Sequence, residues 1–288
     1  MSVEPSSELA ARAASILGWT PRAWRRVEGG YTPAARFVGA AGADRCFLKV
    51  ATEPQTAAML RQEARVYQTL SGAFMPRFLG WEDHPEAPLL LIEDLSHATW
   101  PPPWTRDRID QVLEQVAAMH ALRPDLRPLS EVNGRTRGGW SAVAADAAPF
   151  LSLGLASVEW LSKALPALVE TEAACRTDGP TLAHFDLRSD NICITATGAK
   201  FIDWSAACLG DPELDLGAWL PSLELEGGPA PETILPARPT VAAWVSGYFA
   251  ARAGLPIIPH APRVRAVQLA QLRPALGWAI RALGLEQV

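Results

Sequence analysis

A chain of 288 residues with 49% hydrophobic content is long enough to bury a sizeable core, as one large domain or as two lobes. Its net charge of -5 and pI near 5.6 exclude a sequence-independent grip on nucleic acid, which needs a clustered excess of Lys and Arg to replace phosphate counterions. The opening MSVEPSSELAARAASILGW has neither a positive start nor a long apolar run, and nowhere do about 18 apolar residues follow one another, so a cytoplasmic protein without a membrane partner is expected.

Residues 7 to 17 (SELAARAASIL) carry a serine cap, an early glutamate and Gly18 at the exit, and are predicted as a helix. Strands follow at 23–28, 35–39 and 45–51, the last two joined by a Gly/Asp turn at 41–44, which implies an antiparallel sheet. The helix formers at 54–70 and two more strands, at 78–82 and 88–93, complete a five-stranded sheet with one long helix. The connector TWPPPWT at 99–105 suits no regular structure and marks a lobe boundary, which divides the chain into 1–95 and 96–288. Beyond it helices dominate, at 109–122, 155–175, 211–223, 239–253 and 261–285, the last kinked at Pro274. Two short strands, NICIT (191–195) and AKFID (199–203), lie among them. The predicted fold class is α+β, a small antiparallel lobe followed by a larger, mainly helical one. Cys46, Cys175, Cys193 and Cys208 lack the paired spacing of a zinc site or disulfide framework and are expected to be buried thiols. The 26 basic residues include only three lysines, Lys49, Lys163 and Lys200, so each has a reason to be sought.

LAHFDLRSDNICI (182–194) sets His184, Asp186 and Asn191 in the spacing HxDxxxxN, and the next strand ends on Asp203 and Trp204. In the kinase template the first Asp orients or takes the proton of the attacking hydroxyl, and the Asn and second Asp hold Mg²⁺ against the nucleotide phosphates. Oxygen donors suit that hard cation, which keeps several waters and needs few protein ligands. HFDLRSDN, IDW and GDPELDLGAW (210–219) together resemble the aminoglycoside phosphotransferase and choline kinase-like family, whose fold is similar to that of protein kinases. The order of lobes extends the resemblance over nearly the whole chain.

The resemblance implies an ATP-dependent small-molecule phosphotransferase using Mg²⁺, with GTP left open as the donor. It makes Asp186 the catalytic base, Asn191 and Asp203 the metal ligands, Lys49 the phosphate-contacting lysine and Glu63 its ion-pair partner. Lys49 also has a plainer reading, as a solvent-facing residue of the sheet. Ile92, Glu93 and Asp94 resemble the adenine-contacting hinge, or form a buried edge strand. Gly29 and Gly30, in EGGYTPAARFVG, resemble the nucleotide-positioning loop, where glycine lets the main chain approach phosphate, or form an ordinary turn. His184 is implied to brace the catalytic loop, and His120 is assigned to structure. Arg188 is either a catalytic cation near the transferring phosphate or a salt-bridge partner of Asp190 or Glu213. Asp211 and Asp215 are expected to cap and anchor the following helix. Two departures stand out: Phe185 occupies the position where the family usually has glycine, and no APE-like segment follows Asp203, which argues against a protein substrate.

Between residues 178 and 232 ten acidic residues face only Arg188 and Lys200, an excess that would attract a cationic acceptor such as an amino sugar or other amine-bearing alcohol, or would simply serve metal and helix ends. Asp190, Glu224, Glu226 and Trp140 are the candidate acceptor contacts, Trp140 because RTRGGWSA reads as loop within an irregular insertion at 127–157. No obligate protein partner is evident. A non-catalytic nucleotide binder of the same architecture is the alternative, favoured by Phe185 and opposed by the intact set Lys49, Asp186, Asn191 and Asp203.

Overall fold

The structure is a computed structural model that describes residues 4–132, 138–259 and 261–288. The chain divides into two compact units. The first comprises residues up to Trp100, Asp110–Met119 and Asn191–Ala207, and the second Pro101–Ile109, His120–Asp190 and Cys208–Val288. The first break falls inside the proline-rich connector, but one stretch of helix and one hairpin from further along the chain also belong to the first unit.

In the first unit α1 (Ser7–Leu17) starts where the Ser6 hydroxyl accepts the Leu9 N–H and ends at Gly18 in the left-handed region, as its sequence signals require. Strands β1 (Ala23–Arg26), β2 (Ala35–Ala41) and β3 (Asp44–Val50), helix α2 (Pro54–Thr69), and strands β4 (Phe78–Glu82) and β5 (Leu89–Ile92) follow. The five strands pair antiparallel in the order β1-β2-β3-β5-β4. Side-chain alternation along β3 does the sorting. Cys46, Leu48 and Val50 enter the core that contains Phe37, Leu89, Leu91 and Ala13 of α1. Lys49 therefore points to the other face, in register between Arg36 of β2 and Leu90 of β5.

Helix α3 (Arg106–His120) sends its middle into the first unit, where Gln115 lies against Gly198. In the second unit two short helices, α4 (Trp140–Ala145) and α5 (Ala148–Leu151), lie within the stretch 127–157 read from sequence as irregular; residues 133–137 of that stretch lie outside the described residues. Elements of six and four residues are too short to carry a readable period. Next come α6 (Val158–Ala173), begun by the Ser157 hydroxyl on the Trp160 N–H, and β6 (Thr181–Ala183). Strands β7 (Ile192–Thr195) and β8 (Gly198–Phe201) form a hairpin in the first unit. The second unit continues with β9 (Cys208–Gly210), paired antiparallel with β6, and α7 (Glu213–Leu225), α8 (Pro231–Ile234), α9 (Pro239–Ala253) and α10 (Val264–Leu283), which runs through Pro274. Helix α9 is buried on most sides and packs against α4, α5, α6, α7 and α10, so it is the centre of this unit. Strand β9 was not among those expected, because three residues show no alternation.

All four cysteines are free thiols; Cys46, Cys193 and Cys208 are buried and Cys175 half-buried. No helix among the described residues is long and apolar enough to cross a membrane.

Candidate active site

In the first unit Lys49, 5% exposed, is not a surface residue. Its Nζ donates to both carboxylate oxygens of Glu63, at 2.7 and 3.0 Å, and to Oδ1 of Asp203, 154 positions along the chain. Glu63 reaches it from the buried stripe of α2, together with Thr56, Leu60 and Tyr67. Two carboxylates thus share one ammonium. Burial, with Asp203 nearby, raises the Glu63 carboxyl against the pull of Lys49. Burial works against the charged lysine, but Asp203 and Glu63 outweigh it and hold Lys49 above its usual range.

Asp203 follows the β7–β8 hairpin, and Asn191 immediately precedes it. Ile192 pairs with Phe201, and the Ile202 N–H donates to the Asn191 carbonyl at 3.0 Å, so the register brings Asn191 and Asp203 to the same end of the hairpin. Asp203 adopts φ 64, a left-handed conformation that Asp tolerates better than most residues. The hairpin is tied to the sheet unit by Phe201 N–H on the Phe74 carbonyl (2.7 Å) and by Lys200, whose ammonium reaches Glu93 (3.0 Å) and the Met75 carbonyl (3.2 Å). Of the three lysines only Lys163 is a plain surface residue, in an i,i+4 pair with Glu159. Among the described residues no three His, Cys, Asp or Glu side chains cluster for a metal. The Asn191 amide and the Asp203 carboxylate, at one end of the hairpin, are nevertheless oxygen donors of the kind that fit Mg²⁺, a cation that needs few protein ligands and completes its shell with water.

The segment expected as a hinge has committed side chains. The Glu93 N–H donates to the Arg77 carbonyl (2.8 Å), and the Glu93 carboxylate takes Lys200 and the Arg77 N–H. Asp94 accepts Arg45 Nε at 2.6 Å and the Ser96 N–H at 2.9 Å, with its side chain 1% exposed. Burial disfavours the ionised Asp94, but the hydrogen bonds from Ser96 and Arg45 prevail and hold it below the usual carboxylate range. The linkage sign follows: this contribution to stability is present above the unfolded value, 3.8, and is lost as pH falls through the lower folded one. Asp94→Asn is expected to melt below the parent protein at neutral pH, with the gap closing as thermal scans are taken below pH 3.8; a constant gap would refute the assignment.

Gly29 and Gly30 both have positive φ, 117 and 76. Arg36 gathers their loop: its guanidinium donates to the carbonyls of Gly29 (3.1 Å) and Ala34 (2.9 Å) and to the Thr32 hydroxyl (3.1 Å). A Cβ on Gly30 would lie 2.7 Å from that guanidinium, so a side chain there would be strained at its positive φ and would also displace Arg36. Sequence reasoning passed over Arg36, whose role depends on a cross-strand neighbour.

In the second unit the loop after β6 is held by α7. The Asp215 carboxylate accepts the N–H groups of His184 (2.9 Å) and Phe185 (2.7 Å) and contacts His120 Nε2 at 3.0 Å. Seven residues on, Ser222 Oγ accepts the Ser189 N–H at 3.0 Å. Two turns of one helix thus fix both ends of the loop. Asp211 does serve the start of α7, accepting the Glu213 N–H at 3.0 Å; Asp215 serves the loop instead of capping the helix. The buried His184 accepts the Asp186 N–H at Nδ1, 3.3 Å away. Phe185 has φ 61, a conformation costing a non-glycine residue about 1–3 kcal/mol and one that glycine would adopt freely. The Asp186 side chain is one-third exposed. Arg188 lies 3.3 Å from Asp190 and 3.8 Å from Asp186, while Glu213 pairs with Arg238.

Several expected acceptor contacts are otherwise engaged. Trp140 is fully buried; its Nε1 donates to Ser246 Oγ at 3.0 Å and its ring packs edge-on to Phe150, which corrects its assignment to a ligand wall. The paired glycines that made it look loop-bound are there because a Cβ on Gly139 would fall 1.6 Å from a Glu172 oxygen. Glu226 accepts Trp104 Nε1 at 2.7 Å, and Glu224 and Glu232 both face Arg281.

The model of the APH phosphotransferase enzyme family matches residues 23–267, most of the chain. The chain belongs to that phosphotransferase family. Its structure is similar to that of a thermostable mutant of aminoglycoside phosphotransferase APH(4)-Ia in a ternary complex with ADP and hygromycin B, at 16% identity and a TM-score of 0.58 over 96% of this chain and 98% of that one. A putative aminoglycoside phosphotransferase from Ralstonia eutropha is 14% identical, with a TM-score of 0.54 over 95% and 98%. A putative fructosamine-3-kinase from Haemophilus somnus is 12% identical, with a TM-score of 0.53 over 94% and 96%. No curated protein sequence matches significantly. At these identities the structural likeness is one of fold, the protein kinase-like one; family membership makes the protein a small-molecule phosphotransferase.

Proposed function

We propose that this phosphotransferase moves the γ-phosphoryl group of ATP to a hydroxyl of a small amine-bearing alcohol. The observation that carries the proposal is the meeting of Lys49 with both Glu63 and Asp203. A sheet lysine, a helix glutamate and a post-hairpin aspartate, far apart in sequence, converge where a structural role alone would need one carboxylate.

In this proposal Asp186 accepts the hydrogen bond of the acceptor hydroxyl and takes its proton. The acceptor oxygen bonds to the γ-phosphorus as the bond from that phosphorus to the β–γ bridging oxygen breaks, and ADP leaves. Lys49, aimed by Glu63, would hold the phosphates; Asn191 and Asp203 would hold Mg²⁺, which would neutralise charge on the phosphate oxygens. The Gly29–Gly30 loop lies against the phosphates, and the backbone of Ile92 to Asp94 meets adenine. Arg188, between two aspartates, orients Asp186. Such positioning and charge neutralisation suffice for phosphoryl transfer. That APH(4)-Ia was captured with ADP and hygromycin B supports both the nucleotide and the acceptor class. The test is incubation with Mg²⁺, ATP and a panel of amino alcohols and amino sugars, followed by mass spectrometry. A product heavier by one phosphoryl group is expected; nucleotide binding without transfer to any member would establish a binder instead.

A further inference from the structure

The second unit contains a cavity of ≈ 210 Å³ lined by Glu172, Ser141, Thr177, Trp244 and Tyr248, none of which the sequence had singled out. Trp244, Tyr248 and Arg252 stand four apart on α9 and so share one face. The two rings lie 6.3 Å apart and nearly parallel, at 21°, and the Arg252 guanidinium covers Tyr248 from 4.2 Å while donating to the carbonyls of Gly138 and Tyr248. At the other end Trp244 meets the ring of Phe185 edge-on, 5.7 Å between centroids. Phe185 is the strained residue next to Asp186. The strain thus buys a continuous aromatic row from the residue beside the base to the cavity, which glycine at 185 would not provide.

Glu172 supplies the charge. Its carboxylate accepts the Ser141 N–H at 3.2 Å and a bond from the Trp140 backbone, and both Gly139 and Gly247 are pressed against it, a Cβ on Gly247 falling 2.2 Å from Oε1. Two glycines therefore make room for this one side chain. A carboxylate has about four acceptor sites, so two backbone bonds orient it and leave capacity toward the cavity. Burial raises its carboxyl above the usual range, which marks it as short of compensation despite Arg252. A desolvated carboxylate lining the same cavity as two half-buried aromatic rings is the chemistry that receives an ammonium group.

We propose that this cavity is the acceptor pocket, with the ammonium of a single-ring or short-chain amino alcohol on Glu172 and its body against Trp244 and Tyr248. The inference rests on the phosphotransfer reading above and narrows its substrate class. Pockets for drug-sized ligands run to about 300–1,000 Å³, so at ≈ 210 Å³ this one matches a single ring or a short chain in size.

Full-length protein labelled with 5-fluorotryptophan is titrated with two matched pairs, glucosamine against glucose and ethanolamine against ethylene glycol, and followed by fluorine NMR. Loss of one signal in Trp244→Phe identifies Trp244. That signal is expected to shift with the amine of at least one pair at about tenfold lower concentration than with its hydroxyl twin, the scale of a desolvated cation on carboxylate and ring. In Glu172→Gln, which keeps an acceptor for the backbone, the ratio is expected to fall to about one while the other signals stay in place. No Trp244 shift with either amine, equal response to the twins, or preference surviving in Glu172→Gln would each overturn the pocket. ATP binding measured on the same samples separates the two readings: retained ATP binding with an unresponsive Trp244 defeats the pocket alone, whereas a responsive Trp244 with no transfer to any acceptor defeats the phosphotransfer.

Discussion

Replacing Asp186 with alanine is expected to lower phosphoryl transfer by about 10²–10⁴-fold, the scale of a positioned general base, while the dissociation constant for ATP changes little. The backbone contact at this position does not depend on the side chain: the Asp186 N–H bonds to His184, and the preceding N–H groups bond to Asp215. Alanine therefore leaves the loop's anchors in place. The groups proposed to hold the nucleotide, Lys49, Glu63 and Asp203, make their contacts in the other unit. Steady-state rates with calorimetric ATP titrations check both halves. Full turnover in the variant would remove Asp186 as the base, and weak ATP binding would move it to the nucleotide.

The family resemblance carried by HFDLRSDN and IDW assigned the roles of Lys49, Glu63 and Asp203, and local pattern supported two of them, a rare lysine on an alternating strand and an Asp closing a hairpin. The hairpin was legible from local pattern too. What escaped was whatever depends on long-range packing. Glu172 sits at the end of α6 among other polar residues, and only the approach of Gly139 and Gly247 distinguishes it from a solvated helix end. Trp244 and Tyr248 belong to a helix that is apolar nearly all round, so no stripe marks the face that borders the cavity.

The acidic excess between 178 and 232 shows the same limit from the other side. Composition counts charges but cannot see arginines arriving from outside the window. Asp211 takes Arg176, Glu213 takes Arg238, and Glu224 and Glu232 share Arg281. A local surplus was thus largely a set of ion pairs. Such exposed pairs contribute little stability, about 0–1 kcal/mol each, but they do remove these carboxylates as free attractors of a cation.

Asp215→Ala is expected to be the most damaging change to the second unit, and the size of the effect distinguishes two roles. Were Asp215 only a favourable acid in the first turn of α7, its loss would cost about 0.5–1 kcal/mol and leave turnover untouched. The carboxylate is instead fully buried and receives the N–H groups of His184 and Phe185 and the contact with His120. Alanine takes the carboxylate acceptor away from two buried backbone donors, at about 1–3 kcal/mol each, and from the His120 ring as well. A loss near 3 kcal/mol or more would lower the melting temperature by roughly 6–12 °C. The backbone released is that of Phe185, whose φ of 61 this bond helps to hold. It should relax toward an ordinary conformation and swing Asp186 out of line, so kcat falls even below the melting range. Asp215→Asn separates packing from charge: its single carbonyl oxygen serves one N–H, while its NH₂ opposes the other. Melting curves and rates taken together decide the matter, since a small shift in melting with unchanged kcat would return Asp215 to a helix-end role.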